Sequence, residues 1–250
     1  MRAKQGLEAP ALLSCERLVI GRGGRALLPP IELTIRRGEL WVVLGRNGAG
    51  KTTWARTLLG LERPIAGTVT RRKSELRLTY LAQRRELDAA YPLRVRDVVG
   101  FGLDRETSFL RRRTPEQRAR LERALAEAGI AALAERPFRE LSEGQQQRVL
   151  LARVHAAQAD LAVLDEPTSA MDGAAEREAW ALLARLRDET GLALVVITHA
   201  QALARAHADR VLVLDRDARS VVSGPPEDVV ATALPLAARG AVNDEVPHDA

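Results

Sequence analysis

The sequence predicts an α/β fold in which a mostly parallel sheet carries helices on its faces. Three continuous apolar runs have the length and composition of strands that are buried on both faces. They are Leu40–Leu44, Leu161–Leu164 and Leu192–Ile197. Helical stretches follow the first two runs, at Lys51–Leu59 and Ala174–Glu189. Strands that alternate with helices in this way are typical of a parallel sheet.

Shorter elements flank this core. Leu18–Ile20 and Ile31–Ile35 predict strands of an N-terminal antiparallel β region, with turns where glycine and proline cluster, at Gly21–Arg25 and Pro29–Pro30. Near the other end, Val211–Leu214 predicts one more strand, and a short helix is expected from Glu227. The polar tail at 240–250 is expected to fray.

Residues 87–159 are rich in Ala, Leu, Glu and Arg, and they predict a helical subdomain inserted into the α/β core. Helical periodicity is clearest at Pro115–Ala128 and Gln145–Ala157. We therefore expect residues 1–250 to form a single domain in which the insertion carries its own small core.

Composition favours a cytoplasmic protein. Of the 250 residues, 46% are hydrophobic, which is enough for one sizeable core. The single cysteine, Cys15, excludes an intramolecular disulfide and is expected to be a buried thiol. No apolar run approaches the ~20 residues of a membrane span, and no apolar segment of the kind found in secretory signals follows the N-terminus.

The basic character of the chain does not predict nucleic-acid binding. The formal net charge is +5, but the arginines are scattered and Arg111–Arg113 is the only triplet. Aromatic residues make up 3% of the chain, so platforms on which bases could stack are scarce. We expect no direct nucleic-acid partner.

A phosphate-binding loop lies between the first buried strand and the helix after it. The pattern G-x-x-x-x-G-K-[ST] is matched by Gly45, Arg46, Asn47, Gly48, Ala49, Gly50, Lys51 and Thr52, with Thr53 next. Glycines let backbone N–H groups curl around a triphosphate, and the helix N-terminus adds partial positive charge. Lys51 is predicted to bind the β and γ phosphates of a nucleoside triphosphate, and the Thr52 hydroxyl to bind Mg²⁺. The chain is therefore predicted to be a P-loop NTPase.

Two carboxylates follow the second buried strand. Asp165 is predicted to hold Mg²⁺ through water, and Glu166 to polarise the attacking water as the general base. Pro167 is expected to fix the turn that aims both acids.

The segment Leu141–Arg148 indicates which kind of P-loop NTPase the chain is. It reads Leu-Ser-Glu-Gly-Gln-Gln-Gln-Arg, and the chain here resembles the ATP-binding cassette ATPases, whose signature has the form Leu-Ser-Gly-Gly-Gln. Ser142 is placed as an N-cap and Gly144 leaves its N–H open, so a helix beginning near Gln145 can offer an anion site. The resemblance implies that this segment grips the γ-phosphate held by a second copy of the chain, in a head-to-tail dimer that sandwiches two ATP molecules.

The resemblance assigns three further residues. It implies that Gln83 joins the Mg²⁺ and water site to the helical lobe, and that Asp172, in Ser169–Asp172, lies in the segment that contacts the partner copy. It also implies that His199 touches the γ-phosphate and holds the attacking water. The other three histidines, His155, His207 and His248, match no part of the pattern.

Two positions depart from the family pattern. Glu143 occupies the first glycine of the signature, which puts a carboxylate near the γ-phosphate and implies a weaker grip. Arg22 stands where the family tends to place an aromatic ring that stacks on adenine. A guanidinium can also stack on a base, with a contribution of about 1 kcal/mol or less when exposed.

The resemblance implies that hydrolysis drives a membrane transporter. Separate transmembrane permease subunits would dock beside Gln83, with the chain peripheral on the cytoplasmic face of the membrane. A DNA-repair or chromosome-organising ATPase and a ribosome-associated factor are the alternatives. Those classes usually carry a long coiled-coil insertion or two cassettes in one chain, and this sequence has neither.

The segment after Gln83 indicates the transported substrate. Gln83–Asp88 and Tyr91–Val99 are similar to cassettes of zinc and manganese importers, although Tyr91, Arg94 and Ala82 replace a Phe, a Thr and a Pro. Iron-siderophore, haem and cobalamin importers share much of this region and remain the alternative. An extracytoplasmic substrate-binding protein would be an indirect partner in either case.

Overall fold

The computed structural model describes residues 9–72, 75–82, 93–103, 113–169 and 171–229. The strands, in chain order, are β1 (Ala11–Val19), β2 (Gly21–Arg22), β3 (Arg25–Ala26), β4 (Ile31–Arg36), β5 (Leu40–Leu44), β6 (Ala66–Arg71), β7 (Leu78–Leu81), β8 (Leu161–Asp165), β9 (Ala193–Ile197), β10 (Arg210–Asp215) and β11 (Ser220–Gly224). The helices are α1 (Lys51–Leu58), α2 (Val95–Gly100), α3 (Pro115–Glu127), α4 (Glu143–Ala157), α5 (Gly173–Thr190) and α6 (Gln201–His207). Short 3-10 turns occupy Ala131–Leu133 and Phe138–Glu140.

The chain divides into two compact units. The first combines the residues up to Ser74 with those from Val195 onward, and the second is Glu75–Leu194. The prediction of a single domain with a helical insertion at 87–159 stays a prediction.

An antiparallel sheet with the order β4-β1-β6 belongs to the first unit. Its middle strand, β1, pairs Cys15 with Leu33 on one side and with Val69 on the other. Burial in this sheet raises the pKa of the Cys15 thiol to about 12, so the thiol stays neutral, as expected of a buried cysteine. The predicted antiparallel β region is confirmed.

The parallel core strands of the first unit surround β5. Strand β10 runs parallel to β5, and β11 closes the edge antiparallel to β10. On the other side of β5, the Thr198 N–H donates to the Val43 carbonyl over 3.1 Å, which joins the carboxyl end of β9 to that of β5. Every residue of β5 is buried, as its continuous apolar run predicts.

The second unit repeats the pattern of buried parallel strands and adds helices. Strand β7 runs parallel to β8, and the Ala193 N–H at the start of β9 donates to the Asp160 carbonyl. Helix α4 packs against α2 and α3. The turn after α2 lies close to α4, because a Cβ added at Gly102 would lie 2.3 Å from the Arg153 carbonyl oxygen of α4.

Several element bounds differ from the sequence prediction for physical reasons. The strand predicted at Leu18–Ile20 is the last part of the longer β1, where a register shift and a left-handed Arg17 (φ 46°) interrupt the alternation of buried side chains. Strand β6 was not predicted because nearly all of it is exposed. Helix α4 begins at Glu143, ahead of the predicted Gln145, because Ser142 is its N-cap.

The remaining predicted elements agree closely with the structure. Residues 226–229 are helical, which agrees with the helix expected from Glu227, and the tail at 240–250 lies outside the described residues. Within the described part of the chain, no helix is both long and apolar enough to cross a bilayer.

Candidate active site

The predicted phosphate loop joins β5 to α1 in the first unit. Glycines at three of its positions have positive φ angles: Gly45 (154°), Gly48 (78°) and Gly50 (98°). Position 45 excludes any side chain, because an added Cβ would lie 2.4 Å from the Leu214 carbonyl oxygen of β10. The Ala49 N–H donates to the Arg46 carbonyl over 3.1 Å and closes the turn. The glycines therefore let the backbone lie against β10 while it curls toward α1.

Lys51 begins α1 and is only 9% exposed. Its Nζ donates to the Gly45 carbonyl over 2.6 Å and to the Arg46 carbonyl over 3.0 Å, so the ammonium lies within the curve of the loop. The N-cap of α1 is Gly50, which has no side chain to accept from the first-turn N–H groups. Thr52 and Thr53 complete that turn, both half-buried. Cationic charge and the N-terminal donors of a helix converge here, as a phosphate site requires.

A pocket lies beside the loop. It is lined by Arg46–Ala49 of the loop and by Leu214–Asp217, which form the end of β10 and the start of the turn to β11. Arg46 Nη1 donates to Asp217 Oδ2 over 3.2 Å across its mouth. Both side chains are well exposed, so this ion pair contributes little to stability, and it was not predicted from the sequence.

His199 follows β9 at the same end of the sheet as the loop. It comes directly after Thr198, whose N–H pairs with Val43 two residues before Gly45, and its side chain is exposed. The Thr198 hydroxyl accepts from the Ala200 N–H over 3.1 Å and holds the turn that presents the histidine. The first unit thus brings His199 and the loop to neighbouring strand ends.

Arg22 lies in the β2–β3 hairpin of the same unit. Gly23 (φ 57°) and Gly24 (φ 76°) form its two-residue turn, and positive φ at both positions is the pattern of a type I′ turn. The register pairs Arg22 with Arg25, and both are exposed. The sequence predicted a turn at Gly21–Arg25 and, from the resemblance, placed Arg22 at the adenine-stacking position, but it did not predict the paired strands. A Gly-Gly pair between two short extended segments is the signal that would have predicted the hairpin.

The two predicted catalytic carboxylates lie at the end of β8 in the second unit. Asp165 is the last strand residue and is 3% exposed. Glu166 follows it with a left-handed φ of 53°, which is uncommon for a residue other than glycine. Ser169 holds this turn, because its N–H and its hydroxyl both donate to the Glu166 carbonyl, over 3.4 and 3.2 Å. The left-handed Glu166 and the buried Pro167 therefore form a turn directly after the strand that carries the two carboxylates.

The signature segment begins α4. The Ser142 hydroxyl accepts from the Gln145 N–H over 3.3 Å, and Gln145 Oε1 accepts from the Ser142 N–H over 3.1 Å. This reciprocal capping box confirms Ser142 as the N-cap. Glu143 is exposed in the first turn, where a carboxylate suits the helix dipole, and Gly144 is half-buried behind it.

Asp172 caps the next helix, α5. Its Oδ1 accepts from the Ala174 N–H over 3.0 Å and from the Ala175 N–H over 2.8 Å. The carboxylate therefore has a local structural role that the sequence analysis did not assign. Gln83, the remaining predicted site residue, lies outside the described residues.

Comparisons with known proteins agree with this geometry. The family model described as ABC transporter matches residues 28–169. A zinc import ATP-binding protein, ZnuC, of Alcanivorax borkumensis is 39% identical over 220 residues, which cover 87% of this chain and 80% of the relative. The ZnuC of Pseudomonas savastanoi is 36% identical over 219 residues, with 88% and 77% covered.

Two solved structures extend the similarity to the fold. An inward-facing metal-chelate type ABC transporter has a TM-score of 0.79 and 27% identity, over 88% of this chain and 86% of that chain. CbiO1 from Clostridium perfringens, part of the ABC transporter complex cbiONQ, has a TM-score of 0.72 and 25% identity, over 89% and 91%. The chain therefore belongs to the ABC transporter family, as one of its ATP-hydrolysing P-loop proteins.

Proposed function

We propose that this chain is the ATPase subunit of a membrane importer of metal ions, with zinc or manganese as the cargo. The observation that carries the cargo class is the 39% and 36% identity to zinc import ATP-binding proteins over nearly nine-tenths of the chain. The substrate itself would be recognised by other subunits, since this chain supplies only the energy.

The phosphate loop would hold the triphosphate of ATP. Lys51 already has its ammonium inside the curve of the loop, on the carbonyls of Gly45 and Arg46, so its charge is in position before a ligand arrives. Phosphate oxygens would accept from loop N–H groups at Asn47 and Gly48 and from the first turn of α1, where Gly50 leaves the helix N-terminus without a side-chain cap.

The residues present fit a magnesium ion. Oxygen is the ligand that Mg²⁺ prefers, and the ion usually keeps several waters. The Thr52 hydroxyl in the first turn of α1 and the buried carboxylate of Asp165 supply such oxygens, and Gln83 is the third proposed ligand. When bound, the ion would neutralise charge that develops on the phosphates.

Glu166 and His199 would act on the attacking water. We propose that the Glu166 carboxylate takes the proton of that water as the general base, and that His199 touches the γ-phosphate and holds the water in line. Support comes from the left-handed turn at Glu166, because strained backbone of this kind tends to be kept where a side chain must be aimed. His199 is exposed at a strand end beside the loop, as a ligand contact requires.

The signature helix would act on the nucleotide of a second copy. Ser142 and Gln145 satisfy each other at the start of α4, which fixes the direction of the helix N-terminus without occupying every first-turn donor. In a head-to-tail dimer, Ser142 and Gly144 would bind the partner's γ-phosphate, and Asp172 would lie at the same contact. The exposed Glu143 carboxylate would weaken this grip.

Transmembrane permease subunits would be the partners that move, with this chain peripheral on the cytoplasmic face of the membrane. An extracytoplasmic binding protein would deliver the cargo. Import of an iron-siderophore, haem or cobalamin is the second candidate, favoured by the 27% identity to a metal-chelate type transporter.

A growth experiment separates these cargoes. A strain that lacks this gene should fail to grow under zinc or manganese limitation, and wild-type chain should restore growth whereas Glu166→Gln should not. In the strain that lacks the gene, added zinc or manganese alone should also restore growth. A defect confined to growth on siderophore, haem or cobalamin would contradict the metal-ion proposal and support the second candidate.

A further inference from the structure

The side chain of Gln146 reaches back past the start of α4. It is 6% exposed, and its Nε2 donates to the Leu141 carbonyl over 3.0 Å and to the Phe138 carbonyl over 3.2 Å. Leu141 directly precedes the N-cap, Ser142, and Phe138 begins the 3-10 turn before it. Helical side chains lean toward the N-terminus, so an early residue of a helix can contact the chain that enters it. One buried amide therefore holds the segment that leads into the signature.

Both acceptors are carbonyl oxygens, and this fixes what the residue at position 146 must supply. The amide nitrogen of glutamine carries two N–H groups, one for each carbonyl. An aliphatic or thioether side chain of the same length would leave both oxygens facing a buried group with no hydrogen to donate, and a carboxylate would repel them. The position therefore requires a donor and not only a side chain of suitable size.

The segment that Gln146 holds is also bonded to the start of α2. The Phe138 N–H donates to the Leu93 carbonyl over 2.8 Å, and the Val95 N–H donates to the Arg136 carbonyl over 3.0 Å. An isolated β-bridge lies between these two bonds. The amide thus attaches α4 to two chain segments that already hold each other in place.

The first turn of α4 has little other support. Ser142 and Glu143 are exposed, Gly144 and Gln145 are half-buried, and Gln146 is the first buried residue of the helix. The capping box joins Ser142 to Gln145 within the turn itself, so it fixes the shape of the turn and not its direction. The direction of the turn depends on the bonds from Gln146.

We propose that Gln146 is a positioning residue for the signature segment. Its amide would hold the first turn of α4 in the direction in which Ser142 and Gly144 meet the γ-phosphate of a nucleotide bound by a second copy. Gln146 would act through the backbone of Leu141 and not by contact with the nucleotide. This inference rests on the proposed function, because it requires the start of α4 to act on a second copy.

Dimerisation with ATP tests the inference on the full chain. Glu166→Gln serves as the parent, so that bound ATP is not consumed. Gln146→Met removes both donors and keeps the length of the side chain, whereas Gln146→Lys keeps an amino group that can donate to both carbonyls. Analytical ultracentrifugation gives the protein concentration at which half of the chains are dimeric. It should rise about tenfold in Gln146→Met and stay within about twofold of the parent in Gln146→Lys.

A second measurement separates positioning from a general loss of structure. At protein concentrations at which the parent is monomeric, the affinity of Gln146→Met for ATP should equal that of the parent. If Gln146→Met does not fold, Gln146→Asn takes its place, because its shorter side chain keeps an amide that cannot reach both carbonyls. The same loss of dimerisation is expected of it.

Gln117→Met is the matched control. Gln117 belongs to the capping box of α3, where its Oε1 accepts from the Thr114 N–H over 2.9 Å. The substitution therefore removes a helix-end bond of the same compact unit, at a helix other than the signature helix. The free energy of unfolding should fall, and dimerisation should match that of the parent.

Three results would overturn the inference while the composite site stands. They are unchanged dimerisation of Gln146→Met, equal losses in Gln146→Met and Gln146→Lys, and a loss in Gln117→Met as large as that in Gln146→Met. Weaker ATP binding by monomeric Gln146→Met would overturn it as well, because the substitution would then act beyond the signature segment. A parent that stays monomeric with ATP would instead contradict the proposed contact with a second copy.

Discussion

The phosphate loop and the signature segment use their polar groups in opposite ways. In the loop, the buried Lys51 ammonium points inward to the carbonyls of Gly45 and Arg46, so the cation is positioned in advance. In the signature segment, the side chains of Ser142 and Gln145 each accept from the other residue's backbone N–H, and the exposed charge beside them is the carboxylate of Glu143. We therefore expect the loop to bind a triphosphate within one chain, whereas the capped start of α4 offers backbone donors beside a carboxylate, and Arg148 of the same segment is paired with Glu178. Substitutions in the loop should weaken ATP binding, and those in the signature segment should change turnover.

The largest expected effect on binding is that of Lys51→Ala. Removal of a charge-assisted partner of phosphate should weaken ATP binding by roughly 10- to 100-fold, on the basis of about 1.5–3 kcal/mol for such bonds. The matched control is Arg56→Ala in the same helix, where the arginine forms an ion pair with Glu62 instead. Calorimetric titration with ATP measures both. Equal ATP affinities for the two variants would show that Lys51 and its loop do not bind ATP.

Gly45→Ala should destabilise the loop more than Gly48→Ala does. The new Cβ at position 45 would overlap the Leu214 carbonyl oxygen at 2.4 Å, whereas nothing lies within 4 Å of one at position 48. The control substitution still has a left-handed strain of about 1 kcal/mol, and overpacking at Gly45 should add a further ~1–3 kcal/mol. Urea unfolding compares the free energies, and a larger loss for Gly48→Ala would contradict the close contact with β10.

Asp172→Ala should lower the free energy of unfolding by about 1 kcal/mol, because α5 loses the acceptor for two backbone N–H groups. Asp172→Asn keeps an N-cap oxygen and removes the charge, so it should restore most of the stability. ATP turnover of the two variants then distinguishes the effect of losing the helix cap from the effect of losing the proposed contact with a second copy. Normal turnover in Asp172→Asn would show that the charge has no part in hydrolysis.

Glu143→Gly has the smallest expected effect and the most direct bearing on the difference between the two segments. It removes the carboxylate that the signature places where a partner's phosphate would bind, so the ATP concentration at half-maximal turnover should fall severalfold. Added salt, which screens the exposed carboxylate, should narrow the difference from wild type. A half-saturation value that rises in the variant would mean that Glu143 assists the interaction.

The loop could be predicted from sequence because its chemistry fixes residue types. Only glycine fits at position 45 against β10, and Lys51 must begin the helix. Strands β5 and β8 were equally clear, since burial on both faces requires a continuous apolar run. The sequence also predicts Ser142 as an N-cap, and the capping box at the start of α4 confirms it.

Other features depend on the arrangement of the chain in three dimensions. The pairing of Arg22 with Arg25 appears only once the turn at Gly23 and Gly24 sets the register. The ion pair of Arg46 with Asp217 joins residues far apart in sequence. Strand β6 has almost no buried side chains, so its pairing with β1 left no hydrophobic pattern to detect.

The most direct measurement concerns the second copy of the chain. Glu166→Gln removes the proposed base and keeps the shape of the side chain, so turnover should fall by about 10²–10⁴-fold while ATP binding is retained. With ATP bound and not hydrolysed, the signature segments of two chains should stay closed on two nucleotides. Light scattering coupled to gel filtration should then report twice the mass of 27.3 kDa with ATP and the monomer mass without it. A variant that binds ATP and remains monomeric at every protein concentration would contradict the composite site.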